Sequence, residues 1–330
     1  MVKLSDFPLK KQNRFAIIYL KTASGGANTV KKLLFVFNPH SGKGQIRQHL
    51  MTITDIFTKG GYEVTVHPTQ CKNDAYEKIL SRGNDFDVVA CSGGDGTLNE
   101  TIKAVMTSGN RLPIGYIPSG TMNDFASAIG IPKDMPAAAQ KIVESSFVTV
   151  DIGSFNQEYF TYIAAFGMFT EVSYETSQQM KNMFGSLAYI MEGMKRFNMT
   201  KTYRVKVTHD GETTEDEYIY GMVSNSSSVG GIKGFGADDI LLDDGVFEVF
   251  LIKAPKNLQD FQFTINSLMK HELDAKCFTC FKAAEVTFHS DNDLPWTLDG
   301  EFGGDCRNVM IKNNHRAIDI FAEKNNLLSE

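Results

Sequence analysis

Along the first part of the chain, short apolar runs alternate with stretches whose hydrophobic residues recur every three to four positions. The first clear run is Leu33–Phe37, followed by helical spacing from about Gln45 to Lys59. The segments YEVTVH (62–67), DVVACS (87–92) and IGYIPSG (114–120) read as further strands. Helical patterns cover Asp74–Leu80 and Thr97–Met106, then Asn123–Ala128 and Ala137–Val143. Apolar runs separated by amphipathic helices predict a mostly parallel sheet covered on both faces. Ligands of such sheets bind at the carboxyl ends of the strands. The polar, glycine-rich loops NPHSGKG (38–44), SGGDGT (92–97) and PSGTMND (118–124) all stand at those ends.

After about Asp151 the period shortens to two. YRVKVTHDGETTEDEYIYGMVSN (203–225) alternates around Asp210-Gly211, a hairpin signal. DDGVFEVFLIK (243–253), AEVTFHS (284–290) and VMIKNNHRAIDIF (309–321) add strands, with one helical stretch at Phe184–Arg196. The expected organisation is an extension (1–30), an α/β domain (31–150) and an antiparallel, sandwich-like β domain (151–306). Residues 307–330 form a C-terminal segment able to pack back on the first domain.

At 330 residues the chain is long enough for two cores. Its net charge of −6 argues against broad nucleic-acid binding and still allows a local basic patch at a membrane surface. Five cysteines imply no disulfide framework. Cys277 and Cys280 form a lone C-x-x-C without the second ligand pair that zinc requires. No apolar run approaches the roughly 20 residues that span a bilayer. FAIIYL (15–20), flanked by Arg14 and Lys21, is too short for a signal-peptide core. The expectation is a cytoplasmic protein that meets lipid only at the membrane surface, through peripheral contact.

Chemistry concentrates in the loops. Gly93, Gly94 and Gly96 let backbone N–H groups approach an anion, and the helix that follows adds the positive end of its dipole. Asp95 should then repel a phosphate. The conflict disappears if a divalent cation lies near both, or if Asp95 acts on the hydroxyl that accepts a phosphoryl group. The plain alternative is a tight turn with Asp95 as a helix cap. NPHSGKG is not a Walker loop, because Lys43 is followed by Gly, yet Asn38, Ser41, Gly42 and Lys43 can bind phosphate. PSGTMND offers Thr121, Asn123 and Asp124, and taken alone Asn123 or Asp124 reads equally well as a helix cap.

In this order and spacing, NPHSGKG, SGGDGTLNE, PSGTMNDF, VDIG, DDGVFEV and LDGE resemble the diacylglycerol kinase catalytic family, from residue 33 to about 321. The soluble bacterial lipid kinases look most similar; sphingosine and ceramide kinases are more distant. The resemblance implies a Rossmann-like, NAD-kinase-like α/β domain followed by an antiparallel β-sandwich. It further implies ATP and Mg²⁺, with a diacylglycerol-like lipid as phosphoryl acceptor at the membrane surface, and it is compatible with a homodimer.

By that resemblance Asn38, Pro39, His40, Ser41 and Gly42 line the nucleotide, with Thr69 near its adenosine end. Gly94, Asp95, Gly96, Thr97, Leu98, Asn99 and Glu100 cradle the phosphates, faced by Thr121. Asp95 lies by the γ-phosphate and Mg²⁺, and Asp124 and Asp151 extend a carboxylate network toward metal. Asp244, with the main-chain carbonyls of Leu241 and Val246, matches a structural magnesium site. Taken alone, Asp243-Asp244-Gly245 is a hairpin turn. Glu301 matches the general base. Met122 and Ser127 depart from the family pattern, Ser127 standing where many relatives carry an arginine; Lys43, Arg47 or Arg111 is the candidate substitute. Two other readings stay open: a soluble kinase of the NAD kinase or phosphofructokinase type, and a non-catalytic lipid- or nucleotide-binding regulator.

Overall fold

The computed structural model describes residues 30–120, 123–167, 201–225, 241–270 and 273–323, apart from the side chains of Asp124 and Met269. The expected helix at 184–196 and the loop residues Thr121 and Met122 lie outside the described residues.

The first part builds a parallel sheet in the order β4 (Ile114–Pro118), β3 (Val88–Gly93), β1 (Lys31–Phe37), β2 (Tyr62–Pro68). Leu33, Leu34, Phe35 and Val36 are all fully buried, as a strand covered on both faces requires. Edge strand β2 is more open and reads with alternating exposure. Helices α1 (Ile46–Lys59), α2 (Asp74–Arg82), α3 (Asp95–Ser108), α4 (Asp124–Ala128) and α5 (Met135–Glu144) join the strands. In α1 the buried Ile46, Ile53 and Phe57 share one helical stripe, and the Phe57 ring stands edge-on to Phe35 with centroids 5.6 Å apart. Helix α3 stops where Gly109 turns left-handed, at φ 66°.

The second part is antiparallel: β5 (Phe147–Phe155), β6 (Glu158–Phe160), β7 (Ile163–Gly167), β8 (Tyr203–His209), β9 (Glu212–Ser224), β10 (Phe247–Lys253), β11 (Phe278–Ala283), β12 (Glu285–Leu298) and β13 (Glu301–Phe321). The predicted hairpin joins β8 to β9, with Asp210 and Gly211 both at positive φ. Strand alternation sorts side chains between two cores. Phe247, Val249 and Leu251 of β10 join Trp296, Phe166 and Phe288 on one side. Phe250 and Ile252 face the other way, toward Phe261, Ile265 and Leu268 of α6 (Leu258–Lys270). Helix α6 is absent from the sequence reading. Its stripe is interrupted by polar residues, and its start is marked only by Asn257, whose side chain accepts the Asp260 N–H at 2.9 Å.

One strand joins the two parts. β13 pairs with β12 and β5, and Ile320 meets Ile114 of β4 in parallel register. Ile318, Ile320, Phe321 and Ala322 therefore belong to the core of the parallel sheet. The ladder with β5 shifts between Asn314 and Ile318, where Arg316 adopts φ 47°. Arg111, just ahead of β4, grips Asp319 of β13 with two hydrogen bonds of 2.8 and 2.7 Å. No described helix is long and apolar enough to cross a membrane.

Because Ile320 is fully buried and serves two ladders, Ile320→Ala should cost about 2–5 kcal/mol. The expected reading is a lower denaturant midpoint at unchanged slope; an unshifted midpoint would remove β13 from the first core.

Candidate active site

The loops after β1, β3 and β4 touch one another. Asn38, at the end of β1, donates its N–H to Ser92 O at 2.9 Å and accepts the His40 N–H on its side chain, also at 2.9 Å. Beyond it the chain turns left-handed at Gly42, Lys43 and Gly44, with φ 54°, 62° and 73°. Two glycines are fixed by contact. A Cβ on Gly42 would lie 1.9 Å from Ser119 O, and one on Gly120 would lie 2.6 Å from the Cα of Gly94. Ser41 completes the seat, its Oγ 3.9 Å from where a Gly94 Cβ would be. Thr69 stands beside Asn38 on the neighbouring strand end and donates its N–H to Phe37 O at 2.9 Å.

Helix α3 starts at Asp95, two residues earlier than its apolar pattern indicates, with Gly94 as N-cap. Asp95 is thus the first helical residue and not the N-cap. Its Oδ2 accepts the Asn123 N–H at 3.2 Å. The first N–H groups of a helix lack intrahelical acceptors, so this end offers donors and positive potential to an anion. The early start also re-aims the residues after it. Leu98 is fully buried in the core and Thr97 packs under Gly93. Asn99 donates to Tyr159 O and Asp299 Oδ2 at 3.2 and 3.3 Å, and Glu100 accepts the Asn73 N–H at 2.8 Å. Of residues 94–100, Gly94 lies against Gly120 and Gly96 beside Glu301.

Asn123, read either as a polar site residue or as a helix cap, braces the loop after β4. Its side chain accepts from Gly120 N at 3.0 Å and from the Tyr116 hydroxyl at 3.2 Å, and donates to Gly120 O at 2.8 Å. It forms no cap bond to α4. The residue fixes the β4 loop and, through its own N–H, the direction of Asp95.

Glu301 reaches the same place from the far end of the sequence. It follows the left-handed turn Asp299-Gly300 between β12 and β13, where φ is 49° and 81°. A Cβ on Gly96 would lie 3.2 Å from Glu301 Oε1, which puts that carboxylate beside the residue next to Asp95. Lys72 Nζ stands 3.8 Å from Glu301 Oε2. The loop carrying Lys72 is held by Glu100 at Asn73 and by Asp74, whose Oδ2 accepts the Gln70 N–H at 2.7 Å and whose Oδ1 meets His67 Nε2 at 3.1 Å. That Gln70 N–H bond holds the Asp74 carboxyl below the usual range. Burial pushes Glu100 up, opposed by the Asn73 N–H and by Lys72, and reinforced by Glu301. Lys72 carries no motif signal; only the folded loops bring it to the site.

Asp151 belongs to a second group. Its buried carboxylate accepts the N–H of Gly245 at 2.7 Å and of Arg316 at 2.6 Å, with His315 Nδ1 at 3.2 Å. Asp243, beside it, pairs with Arg316 at 3.0 Å. Asp244 Oδ1 accepts the Val246 N–H at 3.2 Å, and burial pushes its carboxyl up. The expected ligands here, one carboxylate with the carbonyls of Leu241 and Val246, are all oxygen, which suits a hard cation such as magnesium. Among the described residues, no three His, Cys, Asp or Glu side chains gather as a metal-holding group. Cys277 is buried and Cys280 exposed, neither in a disulfide.

Of the candidate cations, Arg111 is committed to Asp319 at the amino end of β4, away from the strand ends that form the seat. Lys43 stays in the β1 loop, and Arg47 Nε lies 3.8 Å from a Cβ on Gly44. Phe160, Ala164 and Phe166 are ordinary core. Thr121 and the Asp124 side chain lie outside the described residues.

Comparison with known proteins adds what geometry alone does not. The model of the diacylglycerol kinase catalytic domain matches residues 32–155, and that of the YegS C-terminal NAD kinase beta sandwich-like domain matches residues 164–321. A diacylglycerol kinase from Bacillus subtilis (strain 168) is 32% identical over 277 residues, 83% of this chain and 91% of the relative. A diacylglycerol kinase from Staphylococcus aureus (strain MRSA252) is 33% identical over 303 residues, 91% and 95% of the two chains. The crystal structure of a diacylglycerol kinase from Bacillus anthracis str. Sterne shares the fold at a TM-score of 0.72 and 24% identity, covering 90% of this chain and 99% of that one. Matched along nearly its whole described length, the chain belongs to the diacylglycerol kinase catalytic family and is a lipid kinase.

Proposed function

We propose that this lipid kinase transfers the γ-phosphoryl group of ATP, with Mg²⁺, to the hydroxyl of diacylglycerol or a similar lipid alcohol met at the membrane surface. The observation that carries the reading is Glu301 Oε1 beside Gly96, one residue from Asp95, at the mouth of a glycine-lined anion seat. Phosphoryl transfer asks mainly for positioning and for compensation of negative charge. The Gly42, Gly94 and Gly120 backbones pack the three loops closely together, and the first turn of α3 presents N–H donors to the triphosphate. Glu301 accepts the proton of the lipid hydroxyl as its oxygen bonds to the γ-phosphorus. The bond from that phosphorus to the β–γ bridging oxygen breaks, ADP leaves, and the Glu301 proton passes to solvent. Magnesium, when bound, supplies the positive charge that lets phosphate and Asp95 share one seat. Lys72 adds a cation on the Glu301 side.

Glu301→Gln and Asp95→Asn should each lower turnover by roughly 10²–10⁴-fold while leaving the melting temperature near that of the parent. Near-normal turnover in either variant removes the corresponding role. Gly120→Ala drives a methyl into the Gly94 backbone, so the KM for ATP should rise about tenfold or more while the lipid KM holds. Chelation by EDTA should stop the transfer and added Mg²⁺ restore it. Mg²⁺ should also raise the melting temperature, and Asp244→Ala should erase that rise; a rise that survives places the stabilising ion elsewhere.

The acceptor is settled by incubating the protein with ATP and Mg²⁺ in mixed micelles of several lipid alcohols, alongside NAD and a sugar phosphate. Mass spectrometry should find phosphate on the lipid. Phosphate on NAD or the sugar instead would favour the soluble-kinase reading, and lipid binding without ATP consumption would favour a regulator.

A further inference from the structure

The turn that carries Glu301 is held from an unexpected direction. A strand-to-strand tip is ordinarily among the more mobile parts of a fold, whereas a base must keep its place to within about half an ångström. Here the residue two positions before the base is the anchor. Asp299 Oδ1 accepts the N–H groups of Tyr162 and Ile163 at 3.0 and 3.2 Å. Its Oδ2 accepts the Thr161 N–H at 2.7 Å, the Thr161 hydroxyl at 2.9 Å and Asn99 Nδ2 at 3.3 Å. The main chain is tied as well: Asp299 donates its N–H to Ile163 O at 2.9 Å, and its carbonyl accepts the Tyr162 hydroxyl at 3.2 Å.

Each of these side-chain partners is a donor, so the arrangement calls for an acceptor-only carboxylate. An asparagine would turn its NH₂ toward N–H groups. Burial pushes the Asp299 carboxyl up, and the N–H groups of Thr161, Tyr162 and Ile163 pull it back down. Asn99 supplies the decisive link. It lies one helical turn beyond Asp95 on α3, and the same amide also donates to Tyr159 O. The helix whose first turn faces the anion seat thus reaches directly to the turn bearing the base.

We propose that Asp299 is a positioning residue, and that its hydrogen bond from Asn99 sets the register between the phosphate seat and Glu301. This rests on the assignment of Glu301 as base. It also separates Asn99 from the nucleotide: its amide spans helix and turn instead of holding a phosphate.

The test compares Asp299→Asn, Asn99→Ala and Glu301→Gln with the parent. It reads kcat and the KM for ATP with a diacylglycerol in mixed micelles, direct titration with a fluorescent ATP analogue, and thermal melting. Asp299→Asn should lower kcat at least ~30-fold and Asn99→Ala about tenfold, the scale expected when a reacting group is misplaced by under 1 Å. ATP-analogue affinity should stay within ~2-fold of the parent in both variants, because an anchor for the base leaves the seat intact. Asn99→Ala removes one side-chain amide from a helix that keeps its backbone, so it decides the matter if Asp299→Asn does not fold. Parental kcat in Asn99→Ala, or parallel loss of kcat and nucleotide affinity, overturns the proposal. An active Glu301→Gln sinks the base assignment; an inactive Glu301→Gln beside fully active Asp299→Asn and Asn99→Ala sinks only the positioning role.

Discussion

The molecule depends on one strand having partners in both of its parts. β13 leaves the Glu301 turn, runs along β12 and β5, and ends beside Ile114 of the parallel sheet. Backbone pairing at Ile320 and the burial of Ile318, Ile320 and Phe321 therefore fix the antiparallel part against the parallel one at the end of that strand. Without that tie, a carboxylate near the end of the chain would have no reason to stand beside a loop two hundred residues earlier. The Arg111–Asp319 pair reinforces it, because two parallel N–H···O bonds fix orientation as well as distance.

The second constraint is electrostatic. Asp95, Glu100 and Glu301 bring like charges into one neighbourhood, where Glu301 adds to the burial that pushes Glu100 up. The first turn of α3 and the ammonium of Lys72 offset part of that repulsion. In the proposed reaction the rest would fall to the metal that accompanies the nucleotide. The Asp151 group meets its own charge differently, through backbone N–H groups of Gly245 and Arg316 and the guanidinium that holds Asp243.

Much of this was legible in the sequence because it is local. The runs Leu33–Phe37 and DVVACS are buried on both faces, and composition alone marks such strands. The glycines of SGGDGT read as room for an anion, whereas the Gly94–Gly120 approach shows loop backbones using that freedom to touch each other. What escaped reading is what depends on distance in the fold. Helix α3 begins at Asp95 because Gly94 can cap it, a boundary that hydrophobic spacing does not see. Asn123 reads as a polar site residue or a cap and serves as a brace. Arg111 reads as a candidate site cation and is spent on Asp319, whose position is set by a strand some two hundred residues on. Helix α6 is hidden in a region whose texture is otherwise that of strands.

The wiring of β13 has a consequence for how the protein is made. Ribosomes deliver the parallel strands first and Ile318, Ile320 and Phe321 after every other strand described. Until those side chains emerge, the flank of β4 and the inner face of β5 are left without their apolar cover. A nascent chain stalled before residue 318 would hold a nearly finished nucleotide half with an open, sticky seam. Quality control during translation has a natural foothold there.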